Sequence, residues 1–142
     1  MIRHLAGLAE VVEDVDAAVA FYQGLGLEVK QDGPDYAAAE LQGVLHFGIW
    51  SRPSAAESTY GSRDATDRVP LGFTIGFEVD DVDEAAKALG ARLLRAGKDE
   101  PWGQRTARFT SPSGALCEVS DTSWARELET NVTPKATESV AR

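Results

Sequence analysis

The sequence predicts an α+β domain made of two βαβββ modules whose curved sheets share one cleft. Three observations predict it: an internal repeat, turn residues at matching places in both halves, and a length that suits one domain. Val12-Glu13-Asp14-Val15-Asp16-Ala17-Ala18 matches Val79-Asp80-Asp81-Val82-Asp83-Glu84-Ala85 at an offset of 67 residues. Half of a 142-residue chain would bury too little apolar surface to be secure alone. The halves are therefore expected to lean on each other.

Each repeat follows an apolar strand pattern, Arg3–Val12 or Leu71–Val79, and opens a helix. Asp14 and Asp81 are expected N-caps, because a carboxylate there accepts from the free amides of the first turn. Val15, Ala18, Val19 and Tyr22 fall on one helix face, and so do Val82, Ala85, Ala86 and Leu89. Gly24 or Gly26 should end the first helix and Gly90 the second.

Strand-like runs follow each helix. In module one (1–52) they are Leu27–Gln31, Tyr36–Leu41 and Val44–Ser51, separated by Asp32-Gly33-Pro34 and Gln42-Gly43. In module two (71–122) they are Ala91–Ala96, Gln104–Thr110 and Ala115–Ser120, with Ser111-Pro112-Ser113-Gly114 as the last tight turn. Residues 53–70 read as a linker with at most a short helical turn. Ser123–Glu129 reads as a terminal helix, and the polar residues from about 131 to 142 as a disordered tail.

Composition narrows the function classes. The net charge is −9, and all of it falls within residues 1–122. Nucleic acid and anionic lipid surfaces call for clustered Lys and Arg, so neither is an expected partner. The charge is compatible with a cationic ligand and also serves solubility. A single cysteine, Cys117, excludes an intramolecular disulfide and sits in a core-like strand pattern. No apolar stretch is long enough to span a membrane, and the N-terminus meets acid too early for a secretory signal; a cytoplasmic location is expected.

Three stretches carry a family resemblance. They are Val15-Asp16-Ala17-Ala18-Val19-Ala20-Phe21-Tyr22 with Gly24-Leu25-Gly26-Leu27, then Pro101-Trp102-Gly103-Gln104-Arg105, then Phe109-Thr110-Ser111-Pro112-Ser113-Gly114 running to Glu118-Val119. On these the chain resembles the vicinal oxygen chelate superfamily, the glyoxalase, bleomycin-resistance and extradiol dioxygenase group. Ser111 stands where that family usually has Asp. The resemblance covers residues 2 to about 122 and implies the glyoxalase/bleomycin-resistance fold, with a homodimer as the common assembly.

Metal-using members of the family hold a divalent ion with four side chains, mostly His and Glu. The resemblance maps those positions onto Gly7, Gly48, Thr74 and Glu118. Glycine offers no donor atom and a neutral Thr hydroxyl is a poor ligand, so no metal and no other cofactor is expected. His46 shares a strand face with Gly48 and Trp50, and a register slip would bring it near Glu118. His4 reads as a surface or interface histidine. Glu118, inside an apolar cup, needs a partner: Arg108, Arg105 or His46.

The expected ligand-binding residues are Gly7, His46, Gly48, Trp50, Thr74, Trp102, Arg108 and Glu118. Trp50 and Trp102 offer flat walls for a planar molecule. The leading expectation is a metal-free small-molecule binding protein of the bleomycin-resistance type. The alternative is an enzyme, a lyase, isomerase or dioxygenase-like catalyst, using Glu118 and His46 as catalytic residues. A regulatory module with a self-filled cleft is a weaker third reading.

Overall fold

The computed structural model describes residues 1–41 and 44–121. The expected terminal helix and tail lie outside the described residues. Module one runs β1 (Ile2–Val12), α1 (Val15–Gly24), β2 (Lys30–Asp32), β3 (Tyr36–Leu41) and β4 (Val44–Ser51). Module two runs β5 (Gly72–Val79), α3 (Val82–Leu89), β6 (Leu93–Asp99), β7 (Arg105–Thr110) and β8 (Leu116–Ser120). Between them stand α2 (Arg52–Tyr60) and a 3-10 turn over Arg63–Arg68.

The strands form one curved, open eight-stranded sheet in the order β2-β3-β4-β1-β5-β8-β7-β6. The repeat explains that order. In each module the first strand pairs in parallel with the last, β1 with β4 and β5 with β8. The two modules then join antiparallel through β1 and β5, with Gly7 opposite Gly76 and Ala9 opposite Thr74. Sequence and sheet therefore carry the same internal duplication.

The helices begin where the capping chemistry places them. Asp14 accepts from the Ala17 amide at 3.0 Å and Asp81 from the Glu84 amide at 3.0 Å. Gly24 is the last residue of α1, and Gly26, at φ +88°, carries the left-handed turn beyond it. Side-chain alternation then sorts the sheet into two faces. One face packs on α1 through Val15, Val19, Ala37, Phe47 and Ile49, and on α3 through Val79, Val82, Ala85, Ala107 and Val119. Cys117 is buried, as its strand pattern suggests.

The linker differs most from expectation. Its Ala55 and Ala56 are fully buried and join Val11, Val69 and Leu116 in a third apolar cluster, which draws on both modules. Helix α2 has a strong start: Ser51 Oγ accepts from the Ser54 amide at 3.1 Å and donates to Asp35 at 2.7 Å. Its polar Thr59 is buried with the alanines, at 2% exposure, so polarity in this segment does not mark an outward side. Two strands also shift, β2 to Lys30–Asp32 and β6 to Leu93–Asp99, the latter after a 3-10 turn over Gly90–Arg92.

Candidate functional site

The face opposite α1 and α3 encloses a cavity of about 790 Å³. Both modules and α2 contribute walls: Gly7 from β1, His46 and Trp50 from β4, Ser54 and Glu57 from α2, Thr74 and Gly76 from β5, Arg108 from β7 and Glu118 from β8. Of the expected binding residues, Gly7, His46, Trp50, Thr74, Trp102, Arg108 and Glu118 line it. Gly48 does not. A Cβ built on Gly48 would lie 2.8 Å from the Tyr36 hydroxyl, so the tyrosine takes the space that a side chain at 48 would occupy.

Glycines set the depth of the floor. A Cβ on Gly7 would come within 2.7 Å of the His46 carbonyl oxygen, closer than side chains tolerate. Gly76 faces it across the β1–β5 ladder. The absence of side chains here lets the strands approach and leaves the space above them open.

Two polar pairs stand over this floor. In module two, Arg108 Nη2 lies 2.8 Å from Glu118 Oε2, directly across the β7–β8 ladder. The Arg108 guanidinium sits over the Trp50 ring, 4.8 Å from its centroid. Arg105, the other arginine considered as a partner, instead bridges Asp83 and Asp99 on the surface. Burial pushes the Glu118 carboxyl above the usual range; Arg108 opposes that shift and nearby Glu100 adds to it. Behind this pair, Arg95 holds Glu100 at 3.1 Å and Thr106 Oγ1 at 2.6 Å.

In module one, His46 Nε2 and the Tyr36 hydroxyl share a hydrogen bond, and their rings stack. Burial lowers the His46 pKa, so at neutral pH the imidazole is uncharged and able to accept a proton. The Tyr36 phenol is pushed up to about 12, chiefly by burial and then by the Glu118 charge. His46 thus turns to Tyr36. His4, outside the cavity lining, pairs with buried Glu78 on the neighbouring strand.

The mouth is built by the loop between β6 and β7. Trp102 is 55% exposed, yet its indole N–H donates to Gln104 Oε1 at 2.7 Å, which fixes the ring. Trp50 donates to Ser54 Oγ at 3.1 Å and forms part of the wall toward α2.

A divalent metal does not fit the four positions that the family resemblance assigns to it. Gly7 and Gly48 supply no donor atom, and Tyr36 fills the space beside Gly48. Thr74 spends its hydroxyl on the Ala9 carbonyl at 3.0 Å. Glu118 already faces a guanidinium, whose charge repels a second cation. Among the described residues no group of three or more His, Cys, Asp or Glu comes together elsewhere.

The sequence reading missed Tyr36, Glu100, Gln104 and the α2 residues Ser54, Glu57 and Ser58, all of which line the cavity. Taken at face value, the Gln42-Gly43 turn pairs Leu41 with Val44 and puts Tyr36 opposite Ile49, on the buried face. An irregularity between Ala39 and Leu41 shifts the register, so that Tyr36 opposes Trp50 and faces the cavity. A one-residue bulge leaves no signal in composition.

Comparison with known proteins agrees with this architecture. A family model described as the Glyoxalase/Bleomycin resistance protein/Dioxygenase superfamily matches residues 2–119. No curated protein sequence matches. Among solved structures, a member of that superfamily from Vibrio splendidus is 19% identical with a TM-score of 0.57, over 84% of this chain and 98% of that one. Methylmalonyl-CoA epimerase from Streptomyces coelicolor, in complex with 2-nitronate-propionyl-CoA, is 19% identical with a TM-score of 0.58, over 84% and 94%. The Mn(II)-bound glyoxalase from Novosphingobium aromaticivorans is 23% identical with a TM-score of 0.56; the match covers 84% of this chain but 39% of that one. At these identities the likeness is one of fold.

Proposed function

The chain belongs to the Glyoxalase/Bleomycin resistance protein/Dioxygenase superfamily, and from that membership we propose that it is a binding protein that holds a small planar organic molecule without a metal. The observation that carries this reading is the Arg108–Glu118 pair, 2.8 Å apart, at the one family metal position that retains a carboxylate. The cavity remains open and is flanked by Trp50 and Trp102, the kind of apolar wall on which flat molecules stack. Sequestration of a toxic compound, in the manner of a resistance protein, is the role this arrangement serves. A cytoplasmic homodimer is the setting we infer, and exposed Phe21, Leu71 and Phe73 are the apolar side chains available to a second copy.

Calorimetric titration with a panel of planar drugs in the presence of a chelator tests the reading. Saturable binding that survives the chelator supports it. Failure of every compound, or binding that appears only with added metal, overturns it.

One observation favours the catalytic alternative. Neutral His46, joined to Tyr36 and lining the same cavity as Glu118, has the makings of an acid–base site. Turnover of a carbonyl substrate that disappears in His46→Gln, while binding persists, would establish it.

A further inference from the structure

Among the described residues, Gly76 alone of the strand glycines has no structural need to be glycine. It lies inside β5, where glycine weakens a strand relative to alanine. The other strand glycines are each constrained. A Cβ on Gly7, Gly48 or Gly97 would run into His46, Tyr36 or Asp83, and Gly72 stands at φ +118°. Gly76 is not among the glycines of positive φ. The atoms nearest a Cβ built on it are the Gly7 carbonyl oxygen at 3.7 Å, and Ala6 Cβ and Glu118 Oε1 at 3.8 Å, all ordinary van der Waals separations. That Cβ would stand in the cavity. Gly76 pairs with Glu118 across the β5–β8 ladder, paired residues share a face, and both residues line the cavity. Gly76 is only half-buried, so part of its backbone is accessible.

We propose that Gly76 sets the ligand specificity of the cavity: the place of its missing side chain receives the bare C–H edge of a flat aromatic ring. This rests on the reading of the cavity as a site for a planar organic molecule. The atoms around that place select the ligand. Two of the three nearest, the Gly7 carbonyl oxygen and Glu118 Oε1, are oxygens, and the third is the methyl carbon of Ala6. The rim of an aromatic ring carries the positive side of its quadrupole, so a ring edge is attracted to the two oxygens. A carboxylate or other anionic group would meet two oxygens of like sign. Alanine at position 76 would put a carbon where the ring edge sits; the fold has room for that carbon, and the occupied site does not. Stability and binding therefore pull in opposite directions at this one residue.

The test is calorimetric titration of the full chain with quinoline, acridine and naphthalene, repeated on Gly76→Ala, with thermal melting of both proteins and of Gly7→Ala. The expected result is that Gly76→Ala melts at or above the wild-type temperature, yet binds each ring that wild type binds about tenfold or more weakly. Gly7→Ala, whose methyl meets a backbone carbonyl, is expected to melt below both. Unchanged affinity in Gly76→Ala would overturn the assignment and leave the binding function intact. A melting temperature below wild type would make Gly76 a structural glycine and overturn the assignment as well. If none of the three rings binds wild type, the reading of the cavity as a planar-molecule site falls, and the assignment falls with it.

Discussion

The Tyr36 hydroxyl stands in for the side chain that Gly48 lacks: a Cβ at position 48 would meet it at 2.8 Å and Ala9 Cβ at 3.3 Å. Gly48→Ala should therefore cost stability by forcing the phenol aside, by about 1–3 kcal/mol. In a Tyr36→Phe background, where the clashing oxygen is gone, the same substitution should cost measurably less. Urea unfolding of the four proteins in this cycle gives the coupling directly. Additive effects would show that Tyr36 does not occupy that space.

Arg108 is buried and its partner Glu118 is 22% exposed toward the cavity. Removing the carboxylate leaves a guanidinium buried without its counter-charge. Glu118→Ala is expected to lower unfolding stability by about 3 kcal/mol, the low end for buried pairs because the cavity side is wet. Replacing both residues, Arg108→Met with Glu118→Leu, should recover much of that loss. Denaturant titrations check both proteins.

His46 gives a pH signature. Burial depresses its folded-state pKa below the 6.5 expected of the unfolded chain. The unfolded state then binds more protons between the two values, so stability rises with pH across that window and falls on acidification. His46→Gln lacks this titration. The stability difference between wild type and variant should shrink as the pH falls from about 7.5 to about 5, because only wild type pays the cost of a buried neutral imidazole. A difference independent of pH would contradict the burial.

Ser51 starts the helix that walls the cavity. Its hydroxyl caps α2 and holds Asp35, whose carboxyl is kept below the usual range by that bond and by Arg63. Ser51→Ala should destabilise the protein by about 1–2 kcal/mol. It should also weaken ligand binding, since Ser54, Glu57 and Ser58 line the site. Melting temperature and calorimetry report the two effects separately.

Much of this architecture is legible in the residues themselves. Asp14 and Asp81 announce their helices because capping is local chemistry, and the 67-residue repeat implies the paired modules because equal sequences make equal strands. Glu118 and Arg108 are legible because the Ser111–Gly114 turn leads into a regular ladder, with Thr110 opposite Leu116 and Arg108 opposite Glu118. Tyr36 is not, because a one-residue register shift between β3 and β4 changes which residues oppose each other and so which face the cavity. Helix α2 is not, because its buried surface is alanine: Ala55 and Ala56 give little apolar contrast against Ser and Glu. Local chemistry reads well from sequence; register and small-residue packing depend on partners far along the chain.

On the function proposed above, the cavity works without a metal because the one remaining carboxylate at the family's metal positions is paired to an arginine. Calorimetric titration of the chelator-treated chain with Mn(II), Ni(II) and Zn(II) tests it most directly. The account predicts no saturable binding at this centre and the same heat from wild type and Glu118→Gln. Uptake of one equivalent of any of these ions, abolished by Glu118→Gln, would contradict it.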